Sequence, residues 1–467
     1  METTNWYIHL DANKFYASCI RIFMPWLNGK PVVVLSNNDG CSICQTKEAQ
    51  ALGIKMGTKL FEYPWPGVIR ENDVAVFSTN FPLFADLSLK FKDILRRNFS
   101  RLEDYSVDEE FCSEQDIPVS VLVEIARHAV AQIRQGLHLP VSCGIARTKT
   151  LAKVATRFAK TYPGYGGVCA IATDEQRVKA LRLTGIGEVW GIGPKHAKRL
   201  SALGIETAYD FAHGALSPEW VRKYMTVVGL RTFMELRGQE CIELEQVAPA
   251  KKNIMVSRSF GRNVNDLDSL VSAVTHYVNM NAAKLRRQHS KAGRISVFLS
   301  TNPFREDMEQ DFSCLDVPLP VASSSNLEIG DYARLAVEAM YKPHLWYKKA
   351  GIMTSDLVCE DQVQGNIFDR RDRAKEDRLM QAWDNISGRY GRDALHTARQ
   401  SPGKYDWWVR QEKLSPCWTT RESDFPRCVD YPSSACSRTD QVAPLWAESN
   451  GYGSLTLFSC ERDLKRG

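Results

Sequence analysis

The stretch Trp6-Tyr-Ile-His-Leu10, which stops at Asp11, decides how the first part of the chain folds. Its alternating pattern predicts a β-strand, and Pro31-Val-Val-Val-Leu35 predicts a second one. Helix and strand patterns then alternate as far as a helix predicted over residues 148–160. Strands and helices mixed in this order predict an α+β sheet covered by helices.

Changes of pattern divide the rest of the chain into further units. From about residue 173 to 237 the strand patterns stop, and small helices joined by glycine-containing turns are predicted. Beyond a Lys251-Lys252 linker the patterns predict a second α+β unit, with strands over 254–260 and 294–301 and helices over 267–288 and 329–341. After about residue 357 the chain is polar, with few long periodic runs.

The composition of the 467 residues is that of a soluble globular protein with several domains. No apolar run approaches the roughly 20 residues needed to span a bilayer, and the N-terminus lacks a signal-peptide pattern, so a cytosolic protein is expected. The 13 cysteines are odd in number and scattered, which argues against a disulfide framework. Cys41 and Cys44 lack a second pair at zinc-finger spacing, so no structural zinc site is expected.

Three acidic residues are candidates for chemistry. Asp11 ends the first strand, and Asp108 and Glu109 lie near the end of a hairpin arm predicted over 102–111. A carboxylate at a strand end beside a carboxylate pair could hold two Mg²⁺ ions about 3.5–4 Å apart. Such ions activate a hydroxyl nucleophile and neutralise a pyrophosphate leaving group. Taken singly, each motif is more typical of a turn former or a solvated strand edge.

Basic residues are concentrated between Lys251 and Ser300, where nine Lys or Arg and two Asp or Glu leave a net charge of +7. A local excess of this size is typical of a phosphate-binding surface. The alternative is a solvated basic face with no partner. The net charge of the whole chain is only +5, so its distribution is more informative than its total.

Several motifs occur in order around these residues. They are Asp11-Ala-Asn-Lys-Phe-Tyr-Ala-Ser-Cys19, Ser36-Asn-Asn-Asp-Gly-Cys41, Phe77-Ser-Thr-Asn80, Gly144-Ile-Ala-Arg-Thr-Lys-Thr-Leu-Ala-Lys153, Val189-Trp-Gly-Ile-Gly193, Ser257-Arg-Ser-Phe-Gly261, Tyr347-Lys-Lys-Ala-Gly351 and Leu414-Ser-Pro416. With the acidic pair, they make the sequence resemble the Y-family translesion DNA polymerases, and within them the bacterial UmuC branch. The resemblance extends from about Trp6 to Arg427.

The resemblance implies a multidomain α+β fold in the form of a right hand. Its parts would be a palm at 1–35 and 74–171, small fingers at 36–73, a helical thumb at 172–240, an α+β little finger at 250–357 and a C-terminal region at 358–467. It also implies error-prone, DNA-templated DNA synthesis past lesions in the SOS response to DNA damage. The reaction would be a two-metal nucleotidyl transfer without proofreading, in the bacterial cytoplasm.

The resemblance also implies roles for single residues. Two Mg²⁺ ions would be the cofactors, and their ligands would be Asp11, Asp108, Glu109 and the backbone carbonyl of Ala12. The nucleotide-binding residues would be Phe15 beneath the incoming sugar, Tyr16 as a steric gate against a ribose 2′-hydroxyl, Lys47, and Lys160 on the phosphates, where a point charge suits a triphosphate.

Several positions depart from the family pattern, among them Gln45, Thr46, Phe81 and Phe84, and two of them bear most on this site. Gln50 stands where the family usually has an Arg or Lys that grips the triphosphate, and Lys47, on a neighbouring helical position, could compensate. Glu110 replaces a small residue after the acidic pair and is expected to add a negative charge near the metal ions. The three carboxylates are intact, so catalysis is still expected, and nucleotide affinity is the property that these departures put in question.

Two regions are expected to bind DNA. The segment from Trp190 to Leu200 is typical of a helix–hairpin–helix, whose glycines allow a tight turn with backbone N–H groups that meet a phosphate. The basic residues of the little finger would contact the DNA backbone without specifying a sequence. The candidate residues are Gly191, Gly193, Lys195, Lys198, Arg258, Arg262 and Arg286.

Protein partners are also implied. Gln364-Gly-Asn-Ile-Phe368 resembles the peptide by which bacterial polymerases bind the sliding clamp, with Gln364, Ile367 and Phe368 as its anchors, and Leu455-Thr-Leu-Phe458 could be a second such peptide. The resemblance further implies primer-template DNA, dNTPs, a processed UmuD-like dimer and a RecA filament as partners.

Two other functions fit parts of the sequence. A non-catalytic protein that binds DNA and the clamp would account for Gln50 and Glu110. A palm-fold nucleotide cyclase would also use two metals and two carboxylates, but it would have no use for a helix–hairpin–helix or a basic second domain.

Overall fold

The computed structural model describes residues 5–247, 249–391, 394–398, 400 and 407–426. Its β-strands are β1 (Asn5–Ala12), β2 (Val32–Leu35), β3 (Ser42–Gln45), β4 (Ala75–Ser78), β5 (Arg101–Glu103), β6 (Glu109–Gln115), β7 (Val141–Ala146), β8 (Val168–Ala170), β9 (Ile254–Val264), β10 (Ser290–Ser300), β11 (Phe312–Ser323) and β12 (Tyr347–Cys359). Its α-helices are α1 (Phe15–Phe23), α2 (Lys47–Ala51), α3 (Trp65–Glu71), α4 (Phe81–Asn98), α5 (Val119–Leu137), α6 (Lys149–Thr161), α7 (Asp174–Arg182), α8 (Pro194–Ser201), α9 (Ala208–His213), α10 (Pro218–Leu236), α11 (Leu267–Arg287), α12 (Asn326–Met340) and α13 (Arg373–Tyr390). None of the helices in this part of the chain is long and apolar enough to cross a membrane.

The first strand lies at the centre of a five-stranded sheet with the order β5-β6-β1-β7-β8. It is buried on both faces, because Ile8 and Leu10 belong to one hydrophobic core while Tyr7 belongs to another. The first core includes residues of α1, α4 and α5, and the second includes residues of α6. The last residues of β1 therefore lie at one end of the central strand of a sheet that is covered by helices on both faces.

Strand β2 belongs to two units at once. It pairs with β3 and β4 in a small three-stranded sheet. Its residues alternate between two cores: Val32 and Val34 pack in the core of the large sheet, whereas Val33 and Leu35 pack in a small core with Ala49. This double burial explains why the segment reads as an unbroken apolar run.

Helices α7 to α10 share the second core with α6. Buried members of this core include Phe158 from α6, Leu200 from α8, Phe211 from α9 and Phe233 from α10. A buried carboxylate joins the same elements, since Glu235 accepts hydrogen bonds from the Thr150 N–H (2.9 Å) and hydroxyl (2.6 Å). Its other oxygen accepts from the N–H groups of residues 241 and 242, so the segment that follows α10 is bound to the end of that helix.

The second α+β unit is an antiparallel sheet with the order β11-β10-β12-β9, covered by α11 and α12. Two of its four strands, β11 and β12, were not among the predicted ones. Strand β11 contains Pro318 and Pro320, and proline within an apolar run argues against a strand unless that strand is at an edge. In the sheet order β11 is indeed an edge strand, which explains the omission.

Helix α13 falls in the region for which few periodic runs were predicted. Met380 is its one buried residue, so the helix has almost no apolar stripe by which a sequence pattern would reveal it. Ion pairs hold it instead: Arg286 pairs with Asp384 at 2.6 Å, and Lys291 pairs with Asp377 at 2.9 Å. The acidic face of α13 therefore neutralises part of the basic segment 251–300.

Candidate active site

Strands β1 and β6 bring the three predicted carboxylates together. In the antiparallel register of the two strands, Asp11 lies directly opposite Glu109. The N–H of Ala12 donates to the carbonyl of Asp108 at 2.8 Å, so the acidic pair and the end of β1 are locked side by side. Directly opposed residues have Cβ atoms about 4.5–5.5 Å apart, so Asp11 and Glu109 project from the same small area.

Each of these carboxylates accepts a hydrogen bond from a lysine or serine side chain. The Lys160 ammonium donates to Asp11 Oδ1 at 2.8 Å, and the Lys153 ammonium donates to Glu109 Oε2 at 2.8 Å. The Ser106 hydroxyl donates to Asp108 Oδ1 at 2.9 Å. Within the described residues, no group of three or more His, Cys, Asp or Glu side chains already has an arrangement that could hold a metal ion.

The electrostatics of the site favour a bound cation. Burial raises the pKa of Glu109, and the nearby Asp11 and Asp108 charges raise it further, while the hydrogen bond from Lys153 opposes the shift. Carboxylates this close repel one another, and a cation among them relieves the repulsion. Carboxylate and carbonyl oxygens are also the ligands that Mg²⁺ prefers, so the donor set fits divalent ions.

Lys153 was missed as a site residue, although it ends one of the quoted motifs. Its ammonium lies 4.6 Å from the ring centroid of Tyr105 and 5.5 Å from that of Trp190, in addition to its pairing with Glu109. The Trp190 indole N–H donates to the Tyr105 hydroxyl at 3.1 Å. Lys153 thus connects the acidic centre to the hairpin that precedes α8.

Glu110 does not lie with the other carboxylates, so the expectation of an extra negative charge near the metal ions is corrected. Successive residues of a strand point to opposite faces, and Glu110 is buried on the face opposite Glu109. The Lys92 ammonium of α4 lies 2.9 Å from its Oε1. Burial raises the pKa of Glu110 to about 7, against the opposing effect of Lys92.

The predicted nucleotide residues are spread over α1, α2 and α6, the last of which carries Lys160. Phe15 is only 2% exposed and belongs to the core of the large sheet, as an ordinary core aromatic would. Tyr16 is half-buried, and its ring centroid lies 4.7 Å from that of Phe84. Lys47 and Gln50 are exposed on α2. The structure therefore leaves Tyr16 and Lys47 accessible and encloses Phe15.

A further lysine lies near these residues. Lys14 precedes α1 in a left-handed conformation with φ of 51°. Burial lowers its pKa, and the Lys160 and Lys47 charges lower it further while Asp11 opposes them. Lys14 was not singled out from the sequence, and the only signal for it was a basic residue directly after Asp11-Ala-Asn13.

The hairpin before α8 has the expected glycine geometry. Gly191 has φ of +87°, and a Cβ there would lie 2.8 Å from the Thr232 hydroxyl oxygen. Gly193 is the N-cap residue of α8, and Lys195 and Lys198 are exposed on that helix. A single 3₁₀ turn, rather than an α-helix, lies immediately before the hairpin.

The predicted DNA-binding arginines of the second α+β unit differ in their surroundings. The Arg286 Nε and Nη2 donate to the two carboxylate oxygens of Asp384, each at 2.6 Å, and its Nη1 donates to the Ser324 carbonyl at 2.6 Å, so its guanidinium is paired with α13 in this structure. Arg258 is half-buried and donates to the Ser257 carbonyl, whereas Arg262 is exposed.

The predicted clamp peptide lies in an irregular segment after β12. Two adjacent apolar residues are almost fully exposed there, with Ile367 at 92% and Phe368 at 82%. Gln364 is exposed as well. The second candidate peptide, Leu455 to Phe458, lies outside the described residues.

Comparison with known proteins places this geometry in context. Residues 10–157 match the impB/mucB/samB family, and residues 251–367 match the C-terminal domain of that family. Residues 377–428 match a domain of unknown function.

Similar proteins cover nearly the whole chain. UmuC of Salmonella typhimurium is 38% identical over 89% of this chain and 98% of its own length, and MucB of Escherichia coli is 35% identical over the same shares. DNA polymerase IV 1 of Bacillus subtilis is 26% identical over 82% of this chain and 90% of its own. Among solved structures, a Y-family DNA polymerase chimera of Dbh and Dpo4 matches with a TM-score of 0.59 at 19% identity, over 76% of this chain and 99% of that chain.

Proposed function

Because this chain belongs to the impB/mucB/samB family, in the UmuC branch of the Y-family translesion DNA polymerases, we propose that Asp11, Asp108 and Glu109 are its catalytic carboxylates. The observation that carries the proposal is the register of β1 and β6, which sets Asp11 opposite Glu109 and bonds Ala12 to Asp108. A DNA polymerase binds primer-template DNA and dNTPs, and this one would act in the bacterial cytoplasm during the SOS response.

The carboxylates and the Ala12 carbonyl would hold two Mg²⁺ ions. Such ions, when bound, activate the 3′-hydroxyl of the primer and neutralise the charge that develops on pyrophosphate. The lysines have a complementary part. Lys160 pairs with Asp11 and Lys153 with Glu109, and each ammonium would be free to contact the nucleotide phosphates once its carboxylate has a metal ion instead. With Lys14 and Lys47 nearby, the phosphate pocket would not depend on a basic residue at position 50.

Tyr16 would exclude ribonucleotides. Its ring packs on Phe84, which limits how far it could move away from a 2′-hydroxyl. Tyr16→Ala is therefore expected to lower the preference for dNTPs over rNTPs, measured as the ratio of kcat/KM values, by about tenfold or more, or ~1.4 kcal/mol. Tyr16→Phe keeps the ring and is expected to keep the preference. Equal preferences in wild type and Tyr16→Ala would show that another group acts as the gate.

Primer-template DNA would lie against the thumb hairpin and the little finger. The backbone N–H groups around Gly191 and Gly193 and the Lys195 and Lys198 ammonium groups would contact phosphates, as would exposed Arg262. Arg258 is a weaker candidate because it is half-buried. A UmuD-like dimer and a RecA filament are proposed as partners by family resemblance alone.

The proposed polymerase function is tested by primer extension past a lesion, measured with and without a sliding clamp. Primer extension past an abasic site by the full-length protein, without proofreading, is expected with Mg²⁺ and is expected to be stimulated by a sliding clamp. Replacing both Ile367 and Phe368 by Ala is expected to remove that stimulation without affecting synthesis in the absence of the clamp, because both side chains are almost fully exposed.

Phe312→Ala is the matched control, since Phe312, at the start of β11, is another exposed aromatic residue, at 68%. It is expected to leave the stimulation intact. Absence of any extension with clamp, RecA filament and UmuD-like partner present would favour the non-catalytic DNA- and clamp-binding function instead.

A further inference from the structure

Three of the quoted motifs have no part in the proposed catalysis: Ser36 to Cys41, Phe77 to Asn80, and Leu414 to Pro416. The structure brings all three together at one junction. The segment that joins them is residues 407–418, here called the strap, which lies within the domain of unknown function. It crosses from the little finger to the fingers and palm.

A tryptophan anchors each end of the strap in a different hydrophobic core. Trp407 is buried in the core of the little finger, where its ring centroid lies 6.2 Å from that of Tyr277. Trp418 packs against the core of the palm and stacks on Phe23 with centroids 4.9 Å apart. The same short segment is therefore part of two cores that are otherwise separate.

The middle of the strap extends the small three-stranded sheet. Strand β4 is an edge of that sheet, and its residue Ser78 forms a parallel bridge with Leu414. The Ser78 N–H donates to the Lys413 carbonyl at 2.8 Å, and the Lys413 N–H donates to the Ser78 hydroxyl at 3.0 Å. The strap thus covers an edge that would otherwise expose unpaired backbone groups.

Asn80 fixes the strap from the start of α4. Its side-chain amide is 1% exposed and donates to the Ser415 carbonyl at 2.9 Å, the Ser415 hydroxyl at 3.0 Å and the Pro416 carbonyl at 3.1 Å. Its carbonyl oxygen accepts from the Leu83 N–H and so caps the helix. The same oxygen also accepts from the Cys417 thiol of the strap at 3.6 Å, whereas the three stronger contacts to the strap all use Nδ2 and can be removed without loss of the cap.

Asn38 contacts the strap and the little finger at the same time. Its Oδ1 accepts from the Arg410 N–H at 2.8 Å, and its Nδ2 donates to the Ser259 carbonyl of β9 at 2.8 Å. Asp39 accepts from the Glu412 N–H at 2.9 Å. Both residues adopt positive φ angles, 58° and 52°, which non-glycine residues adopt only at a cost. That cost is offset by the contacts they make.

We propose that the strap is an interdomain positioning element that fixes the little finger against the fingers and palm, in the orientation from which it holds primer-template DNA. Residues 246–253 are the covalent connection between thumb and little finger, and a short connection alone allows many relative orientations. An orientation fixed in advance removes an ordering cost from DNA binding. The second half of this proposal rests on the proposed DNA contacts of the little finger, whereas the first half does not.

The test is the double substitution Asn38→Gly with Asp39→Gly in the full-length protein. Glycine adopts positive φ without strain, so the backbone is preserved while the contacts to Arg410, Glu412 and Ser259 are lost. His138→Gly is the matched control, since His138 also has a positive φ, 52°, but lies at the end of α5, away from the strap. Small-angle X-ray scattering without DNA and primer-extension kinetics are measured for each.

The double variant is expected to have a larger radius of gyration than wild type, and a KM for primer-template DNA that rises about tenfold, while kcat changes less than about twofold. His138→Gly is expected to match wild type in all three. A radius of gyration that stays at the wild-type value in the double variant overturns the proposal, and a larger radius with an unchanged KM overturns its second half. The scattering result does not require activity, so it remains informative if the protein is not a polymerase in the assay.

A second pair of variants separates the strap from the helix cap. Asn80→Asp keeps an oxygen that caps α4 but loses the amide donor, and Asp is as good an N-cap residue as Asn. It is expected to reproduce the rise in KM without a loss of helix content by circular dichroism. Arg410→Ala, which removes only a side chain paired with Glu412, is expected to have no effect, because the strap is bound at that residue through its backbone. A silent Asn80→Asp together with a raised KM in Arg410→Ala would contradict the assignment of contacts.

Discussion

Glu109→Gln is expected to lower primer extension by at least about a hundredfold, whereas Glu110→Gln, one residue further along, is expected to retain most of the wild-type rate. Glu109 lies opposite Asp11 at the acidic centre, so the substitution removes a charge that the proposed Mg²⁺ ions require. Glu110 lies on the other face of β6 with Lys92, away from that centre. The measurement is single-turnover incorporation of one dNTP at saturating DNA.

The pair of substitutions is matched in chemistry and differs only in the face of the strand. Circular dichroism and thermal unfolding of both variants control for folding, because Glu109→Gln removes the ion pair of Lys153 and Glu110→Gln removes the shorter of the two ion pairs of Lys92. Equal loss of incorporation in the two variants would contradict the assignment of Glu109 alone to the active site. Equal retention would contradict a catalytic role for either residue.

Gly144→Ala is expected to cost about 3 kcal/mol or more of folding stability, and so to yield little folded protein. Strand β7 and helix α6 approach closely at this residue. A Cβ on Gly144 would lie 2.2 Å from the Ala152 carbonyl oxygen and 2.2 Å from the Thr156 nitrogen, both of which are backbone atoms. Relief would require α6 to move off the sheet, and α6 carries both Lys153 and Lys160.

Gly136→Ala is the control for this prediction. Gly136 lies in the last turn of α5, and a Cβ there would meet nothing within 4 Å. Alanine is favoured over glycine in a helix by roughly 0.5–1 kcal/mol, so this variant is expected to be as stable as wild type or slightly more stable. Thermal unfolding followed by circular dichroism and limited proteolysis checks both variants. A wild-type unfolding temperature for Gly144→Ala would show that α6 is more loosely packed than its contacts indicate.

The family, the multidomain α+β fold and the polymerase activity predicted from the sequence are confirmed. The elements that could be predicted were those with a clear apolar period, such as β1 and α5. Those that could not be predicted lack one. Helix α13 buries only Met380 and is held by ion pairs to residues about ninety positions earlier, so no local pattern indicates it.

The alternation of side chains along a strand separates Glu110 from the acidic pair. Successive residues of a strand point to opposite faces of the sheet. Glu109 and Glu110 are the first two residues of β6, so their side chains cannot both face the acidic centre. The register that sets Asp11 opposite Glu109 was beyond prediction, because it depends on pairing between strands almost a hundred residues apart. The ion pair between Arg286 and Asp384 could not be predicted for the same reason, since the two residues are far apart in the sequence.

The double burial of β2 has a consequence for movement. Val32 and Val34 pack in one core and Val33 and Leu35 in the other, so the small sheet cannot slide on the large one without opening a core. Helix α2, which adds Ala49 to the small core, is therefore expected to keep its place relative to β1 when a nucleotide binds, and Lys47 with it.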